Sequence, residues 1–183
     1  MDVNVRENFE PQEWFNVMNG PSRAGLAVIL ASPSGLTGVL AEATAITQEI
    51  RALIASHPTT PLLAAMADAY EHTTPEELRA QRDAAGPQAT PRDPKAARDE
   101  ALQAVRQVMW LVTTKATPED REAYGALLVR VAERVAGAAK EGGFLGFGGV
   151  QVSDAEREAI EEIRRLTATP GGTETPPGPV GGP

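Results

Sequence analysis

Asp68 and His72 are the residues whose type and spacing come closest to chemistry. Four residues apart, they share one face of a helix, with Glu71 adjacent, and a D-x-x-x-H pair can hold a metal ion or orient an imidazole. A carboxylate-bridged dinuclear bundle, however, takes an E-x-x-H motif from each of two helices, and no E-x-x-H occurs in the chain. The pair therefore reads first as an i,i+4 side-chain contact and only second as a metal site. The other histidine, His57, precedes Pro58 and reads as a helix-end residue, where a cation suits the dipole. Ser32 and Ser34 flank Pro33 ahead of Gly35. A nucleophile elbow would need G-x-S-x-G after a strand, and neither the spacing nor a nearby base is present.

The glycine-rich run Gly142-Gly143-Phe144-Leu145-Gly146-Phe147-Gly148-Gly149 invites a phosphate-loop reading. It lacks the terminal G-K-[ST] of a Walker loop, and Gln151 stands where a dinucleotide fingerprint would place its third glycine. An anion at the following helix N-terminus would meet Asp154 and Glu156 already there. More distinctive are Phe144, Leu145 and Phe147, which put half of the four phenylalanines into this one segment. They either fold back to plug the end of a helix bundle or project as an apolar contact. Trp14 and Phe15 form a second apolar group that could serve a partner.

Composition narrows what these residues can serve. The 183-residue chain is 42% hydrophobic but only 4% aromatic, so its core must be aliphatic and rich in alanine, which favours helix over strand. A net charge of −8 repels phosphate backbones, and the arginines sit singly among Glu and Asp, so nucleic-acid binding is not expected. Without cysteine there are no disulfides, thiolate metal ligands or cysteine nucleophiles. The polar N-terminus lacks the features of a signal peptide, which makes a cytoplasmic location the expectation. Residues 24–41 carry no charge, but Ser32-Pro33-Ser34-Gly35 interrupts them, so a turn between buried helices is expected rather than a transmembrane span. Contact with a membrane surface remains a weak alternative.

The elements that would carry these residues are legible from their punctuation. Residues 1–8 read as a flexible N-terminus. Pro11 opens a short helix over 12–19, ended by Gly20-Pro21, and Pro21 opens a second to about Leu30. A longer helix runs over 36–56 with Val39, Ala43, Ile46, Ile50 and Ile54 on one stripe. Thr60-Pro61, Thr74-Pro75 and Thr117-Pro118 each read as a Thr N-cap with Pro at the first helical position. Glu77 completes a capping box with Thr74 and Glu156 with Ser153, whereas Asp120 only approximates one with Thr117. Helices over about 94–114 and 118–140, separated by a few residues, should form an antiparallel hairpin. The expectation is an all-α, multi-helix bundle of about seven helices. It forms a single helical domain over 9–167, with halves 9–85 and 95–167 around a Pro-rich linker at 86–94. Residues 168–183 read as a disordered Pro/Gly tail, too poor in apolar residues to offset the entropy of ordering. The tail's PPGP run has no basic specificity residue of the PxxP kind.

Three landmarks resemble a family of uncharacterised bacterial helical proteins. They are Phe9-Glu10-Pro11-Gln12-Glu13-Trp14, Ala31-Ser32-Pro33-Ser34-Gly35, and the run from Glu141 through Gly149 into Val152-Ser153-Asp154-Ala155-Glu156. The likeness spans most of residues 9–166. It implies an all-α fold and a bacterial, cytoplasmic origin, and because that family has no assigned activity it carries no catalytic residues. The expected function is a non-enzymatic helical scaffold or protein-interaction protein without a cofactor, acting through an unknown protein partner or self-association. A bundle holding an apolar small molecule or lipid is the alternative, and a metal-binding or enzymatic bundle built on Asp68 and His72 comes last.

Overall fold

A computed structural model of the chain describes residues 5–31, 50–54, 60–72, 74, 76–77, 80, 93–141 and 152–168. Every regular element among them is helical. A 3-10 turn, Val5–Asn8, precedes five longer helices: α1 (Pro11–Ala31), α2 (Pro61–His72), α3 (Pro94–Lys115), α4 (Pro118–Glu141) and α5 (Asp154–Thr167). A further helical stretch covers 50–54 and buries Ile50 and Ile54, two members of the stripe read over 36–56. The remainder of that helix, the linker residues 86–92 and the segment 169–183 lie outside the described residues.

The N-terminal turn and the start of α1 explain the run from Phe9 to Trp14. Glu10 is the N-cap, its carbonyl accepting from the Trp14 amide at 2.8 Å, and Pro11 takes the first helical position, where a missing N–H costs nothing. The Glu13 carboxylate returns to the Glu10 amide at 2.8 Å. Phe9 and Trp14, just before the cap and at the fourth helical position, pack ring against ring at 5.9 Å as a hydrophobic staple. This end of α1 is fastened to the far end of α3. Lys115 Nζ reaches Glu13 at 2.5 Å, and Asn8 Nδ2 donates to the Lys115 carbonyl at 3.0 Å. Residues 5–8, expected to belong to a flexible N-terminus, are thus tied down, with Val5 buried.

Two helices were expected across residues 12–30, and one is found. α1 passes through Gly20-Pro21 without stopping; among the described residues six helical elements are delimited, one of them a lone 3-10 turn, where about seven helices were expected. An interior proline costs about 3 kcal/mol because it deletes a ladder bond and crowds the preceding turn. Here the deleted bond has a substitute. The Val17 carbonyl, which would have accepted from residue 21, takes the Tyr124 hydroxyl of α4 at 2.7 Å.

α1 is the centre of the fold. It packs most extensively against α3, then against α4 and α5, and its inner residues Gly20, Ala24, Gly25, Ala27 and Val28 are small enough for close approach. The α3–α4 connection is short, Ala116-Thr117, as the expected hairpin requires. The two helices nevertheless touch α1 more than they touch each other. Val105, Val108 and Val112 of α3, Leu128 and Val131 of α4 and Ile163 of α5 close one continuous core with residues of α1 and α2. Both halves of the sequence therefore share that core. Among the described residues no helix is long and apolar enough to cross a membrane.

Candidate functional site

A polar group removed from water without a structural reason is a functional candidate. Tyr124, Asp120, Arg121 and Glu156 each have a structural reason, whereas Thr60 Oγ1 and Arg98 Nε find no hydrogen-bond partner among the described residues. Tyr124 is fully buried, and its hydroxyl fits α1 only because Gly20 has no side chain: a Cβ there would lie 2.0 Å from the Tyr124 oxygen. The next carbonyl, that of Met18, accepts the Tyr70 hydroxyl of α2 at 2.7 Å. Burial pushes the Tyr124 hydroxyl well above its ordinary pKa. It moves Tyr70 up to about 12, against the opposing pull of the Arg51 guanidinium stacked 5.6 Å over the Tyr70 ring. Both phenols therefore stay protonated as donors and clamp the proline-interrupted turn.

Asp120 is the second polar centre, with no exposed surface. One carboxylate oxygen accepts from the Thr117 amide at 3.3 Å and hydroxyl at 3.0 Å, while Thr117 Oγ1 accepts from the Asp120 amide at 3.1 Å. This is a complete capping box, where the shorter Asp seemed only to approximate one. The other oxygen accepts from the Leu62 amide at 2.7 Å and so caps α2 from outside. Thr60 holds the expected N-cap position, its carbonyl accepting from Ala64 at 2.9 Å. Its buried hydroxyl finds no hydrogen-bond partner among the described residues, so the cap of α2 comes from α4. Arg121, also buried, donates to Thr113 Oγ1 of α3 at 3.0 Å and to the Ala168 carbonyl at 2.7 Å. Glu156 closes the expected capping box with Ser153.

The residues singled out by sequence scatter. Asp68 and His72 meet as an i,i+4 pair at the end of α2, Nδ1 to Oδ1 at 3.1 Å, with side chains 76% and 69% exposed. His72 Nδ1 also lies 3.0 Å from the Asp68 carbonyl. Among the described residues no group of three or more His, Asp or Glu side chains converges as a metal site would require. Trp14 is 3% exposed and belongs to the staple, with Arg6 over its ring at 6.0 Å. Its position gives a partner no apolar surface, and Phe15 beside it is half-buried. Phe144, Leu145 and Phe147, together with His57, Ser32 and Ser34, lie outside the described residues.

His72 supports a direct measurement. The Asp68 carbonyl and carboxylate raise its pKa above the ordinary 6.5. A histidine raised in the folded state contributes stability that is fully present below about 6.5 and is lost as pH rises through the folded value. An NMR titration should place the His72 midpoint above 6.5, and Asp68→Asn should move it down. A midpoint at or below 6.5 in the unaltered chain would contradict the geometry.

Two surface features remain. An open groove of 340 Å³ runs between α4 and α5, floored by Gly125, Ala126 and Val129, with Glu122, Arg130 and Arg164 along it. Arg164 is already engaged by Glu133 and Glu161, and nothing in the groove pairs an acid with a base in apolar surroundings. The other feature is Trp110, on the outer face of α3 and 64% exposed, the one large hydrophobic side chain left open among the described residues. Around it on the helix stand Gln103, Arg106, Gln107 and Thr114. Arg106 bonds Gln103, and Thr114 turns its hydroxyl inward to the Trp110 carbonyl at 2.7 Å. No family model, curated protein or solved structure matches the chain. Trp110 is the centre of the candidate site. Sequence reasoning passed over this residue, although a signal was present: Trp110 falls off the Leu102, Val105, Met109, Val112 stripe that faces the core.

Proposed function

We propose that the chain is a non-enzymatic helical scaffold of a bacterial cytoplasm that recruits a protein partner through Trp110. The observation that carries this reading is the contrast between the buried Asp120 and Tyr124, both committed to the protein's own backbone, and one indole left two-thirds open on α3. An exposed Trp ringed by Gln103, Gln107, Thr114 and the single cation Arg106 has the make-up of an interface hot spot, an aromatic anchor within a hydrogen-bonding rim. Covering it removes on the order of 100 Å² of apolar surface from water, about 2–3 kcal/mol of driving force. Gln103, Gln107 and Arg106 supply donors and acceptors without a strong field, which suits a partner of low local charge.

Trp110→Ala is the test. The side chain contributes little to the core, so unfolding free energy should change by less than about 0.5 kcal/mol. Association should weaken by at least about 30-fold, the effect of removing a hot spot worth roughly 2 kcal/mol. Partners captured by the unaltered chain should be lost with Trp110→Ala and kept with Gln103→Ala, and titration calorimetry on the recovered complex gives the affinities. Equal affinity for both variants would overturn the reading.

A further inference from the structure

We propose that the partner of the Trp110 face is a second copy of this chain, docked antiparallel, α3 against α3, about a two-fold axis beside Gln103. The inference rests on the docking reading of Trp110 and names what that surface takes.

The outer face of α3 is laid out as a self-complementary surface requires. Lys95, Ala96, Asp99, Gln103, Arg106 and Trp110 are all exposed. Ala96, Gln103 and Trp110 recur every seven residues, two helical turns, and run along the middle of the face. Lys95, Asp99 and Arg106 follow one edge of it. In an antiparallel pair the two-fold axis sets each edge against the same edge of the other helix. An axis passing between Leu102 and Gln103 therefore brings Arg106 opposite Asp99 of the second copy, and Asp99 opposite its Arg106. Trp110 comes opposite Lys95 of the second copy and beside its Ala96. The small alanine leaves room for the ring, and the lysine brings a cation to it. Gln103 meets its own copy near the axis, where two amides can exchange donor and acceptor.

Within one chain these charges do not answer each other. Asp99 and Arg106 stand about 10.5 Å apart along the helix, beyond the i,i+4 spacing of an ordinary helical ion pair. Arg106 bonds the neutral Gln103 at 2.5 Å. Among the described residues Lys95, Asp99 and Arg106 enter no ion pair. Net charge also selects this face. The chain carries −8, so two copies repel over most approaches. Along the exposed face from Lys95 to Trp110 the cations Lys95 and Arg106 balance the anions Asp99 and Glu100. The low local charge that suits a partner of Trp110 is thus a property of the surface itself. The contact covers only about 22 Å of helix, less than a standard interface, so the dimer should form reversibly with a dissociation constant on the order of 10–100 µM.

Sedimentation equilibrium of the full-length chain, from about 1 µM to 1 mM, is the test. The weight-average mass should climb from 19.3 kDa toward twice that value. Trp110→Ala removes both anchors of the symmetric contact and should weaken association at least about 30-fold. Asp99→Arg and Arg106→Asp each turn two attractions into two repulsions and should each weaken it at least about tenfold. An equimolar mixture of those two variants should associate to within about threefold of the unaltered chain, because a chain with Arg at both positions then faces one with Asp at both. A mixture no tighter than either variant alone would overturn the proposal. Dimerisation that survives Trp110→Ala, or both charge reversals, would overturn it too, by placing the contact elsewhere. A mass of 19.3 kDa at every concentration would sink the second copy. Loss of a foreign partner in Trp110→Ala would then leave the docking surface standing, and a foreign partner indifferent to Trp110 would remove both.

Discussion

Gly20→Ala is expected to lower the free energy of unfolding by about 3–5 kcal/mol, a large share of the 5–15 kcal/mol available to a domain of this size. The added methyl would lie 2.0 Å from the Tyr124 hydroxyl, 3.1 Å from Val108 and 3.2 Å from the Tyr124 ring carbon bearing the hydroxyl. Overpacking of this kind costs roughly 1–3 kcal/mol. Displacing the hydroxyl also strands the Val17 carbonyl inside the core, for another 1–3 kcal/mol or so. Ordinary helix propensity predicts the opposite sign, since Ala normally improves a helix over Gly by about 1 kcal/mol. Tyr124→Phe alone should cost about 1–3 kcal/mol, by leaving the same carbonyl unpaired. The double variant should be more stable than the sum of the two losses by at least about 1 kcal/mol, because Phe vacates the volume the new methyl needs. Urea denaturation of the four proteins gives the cycle. Additive losses would mean that hydroxyl and glycine do not share the slot.

Asp120→Ala carries the second large effect, expected at about 2–4 kcal/mol. A single N-cap is worth about 0.5–2 kcal/mol, and this carboxylate serves two helix starts, accepting from Thr117 at the head of α4 and from Leu62 at the head of α2. At the Leu62 amide water has little access to replace it, because that bond is buried. The location of the loss identifies the mechanism. Hydrogen exchange should quicken most in the first turn of α2, beginning at the Leu62 amide, and least in α3. Thr60→Ala should cost little by comparison, since the Thr60 hydroxyl makes no hydrogen bond among the described residues that its removal would break. A Thr60→Ala loss as large as that of Asp120→Ala would reverse the assignment of the cap.

These two centres also mark where sequence reading stopped. Helical class, the starts at Pro61, Pro94, Pro118 and Asp154, and the Ser153–Glu156 box were legible because each depends on residues a few positions apart. The Gly20-Pro21 pair was misread as a helix end for the same reason. Locally it is a stop signal, and what overrides it is a hydroxyl arriving from Tyr124, more than a hundred positions away. Thr60 looked like a cap by local rule and lost that role to Asp120 through tertiary geometry. Trp14 was weighed with Phe15 as an apolar contact for a partner, and its burial against Phe9 shows only in the packed fold. The outward position of Trp110 could be read from helical periodicity alone, whereas its isolation among polar neighbours needed the packed fold.

The fastening of α1 to the end of α3 has a consequence for how the protein is made. Glu13 and Lys115 are 102 positions apart, so the bonds that seat the first helix join partners distant in the chain. α1 leaves the ribosome first, yet α3 and α4, against which it packs most closely, follow some 80 to 130 residues later. At 5–20 residues per second that interval is on the order of 5–25 s. Throughout it, the uncharged stretch from Ala24 to Ala31 has only the earlier part of the chain to cover it. The hairpin of α3 and α4, local and quickly closed, is then the surface that receives α1. The inner face of α1 is therefore covered only once helices made well after it have arrived.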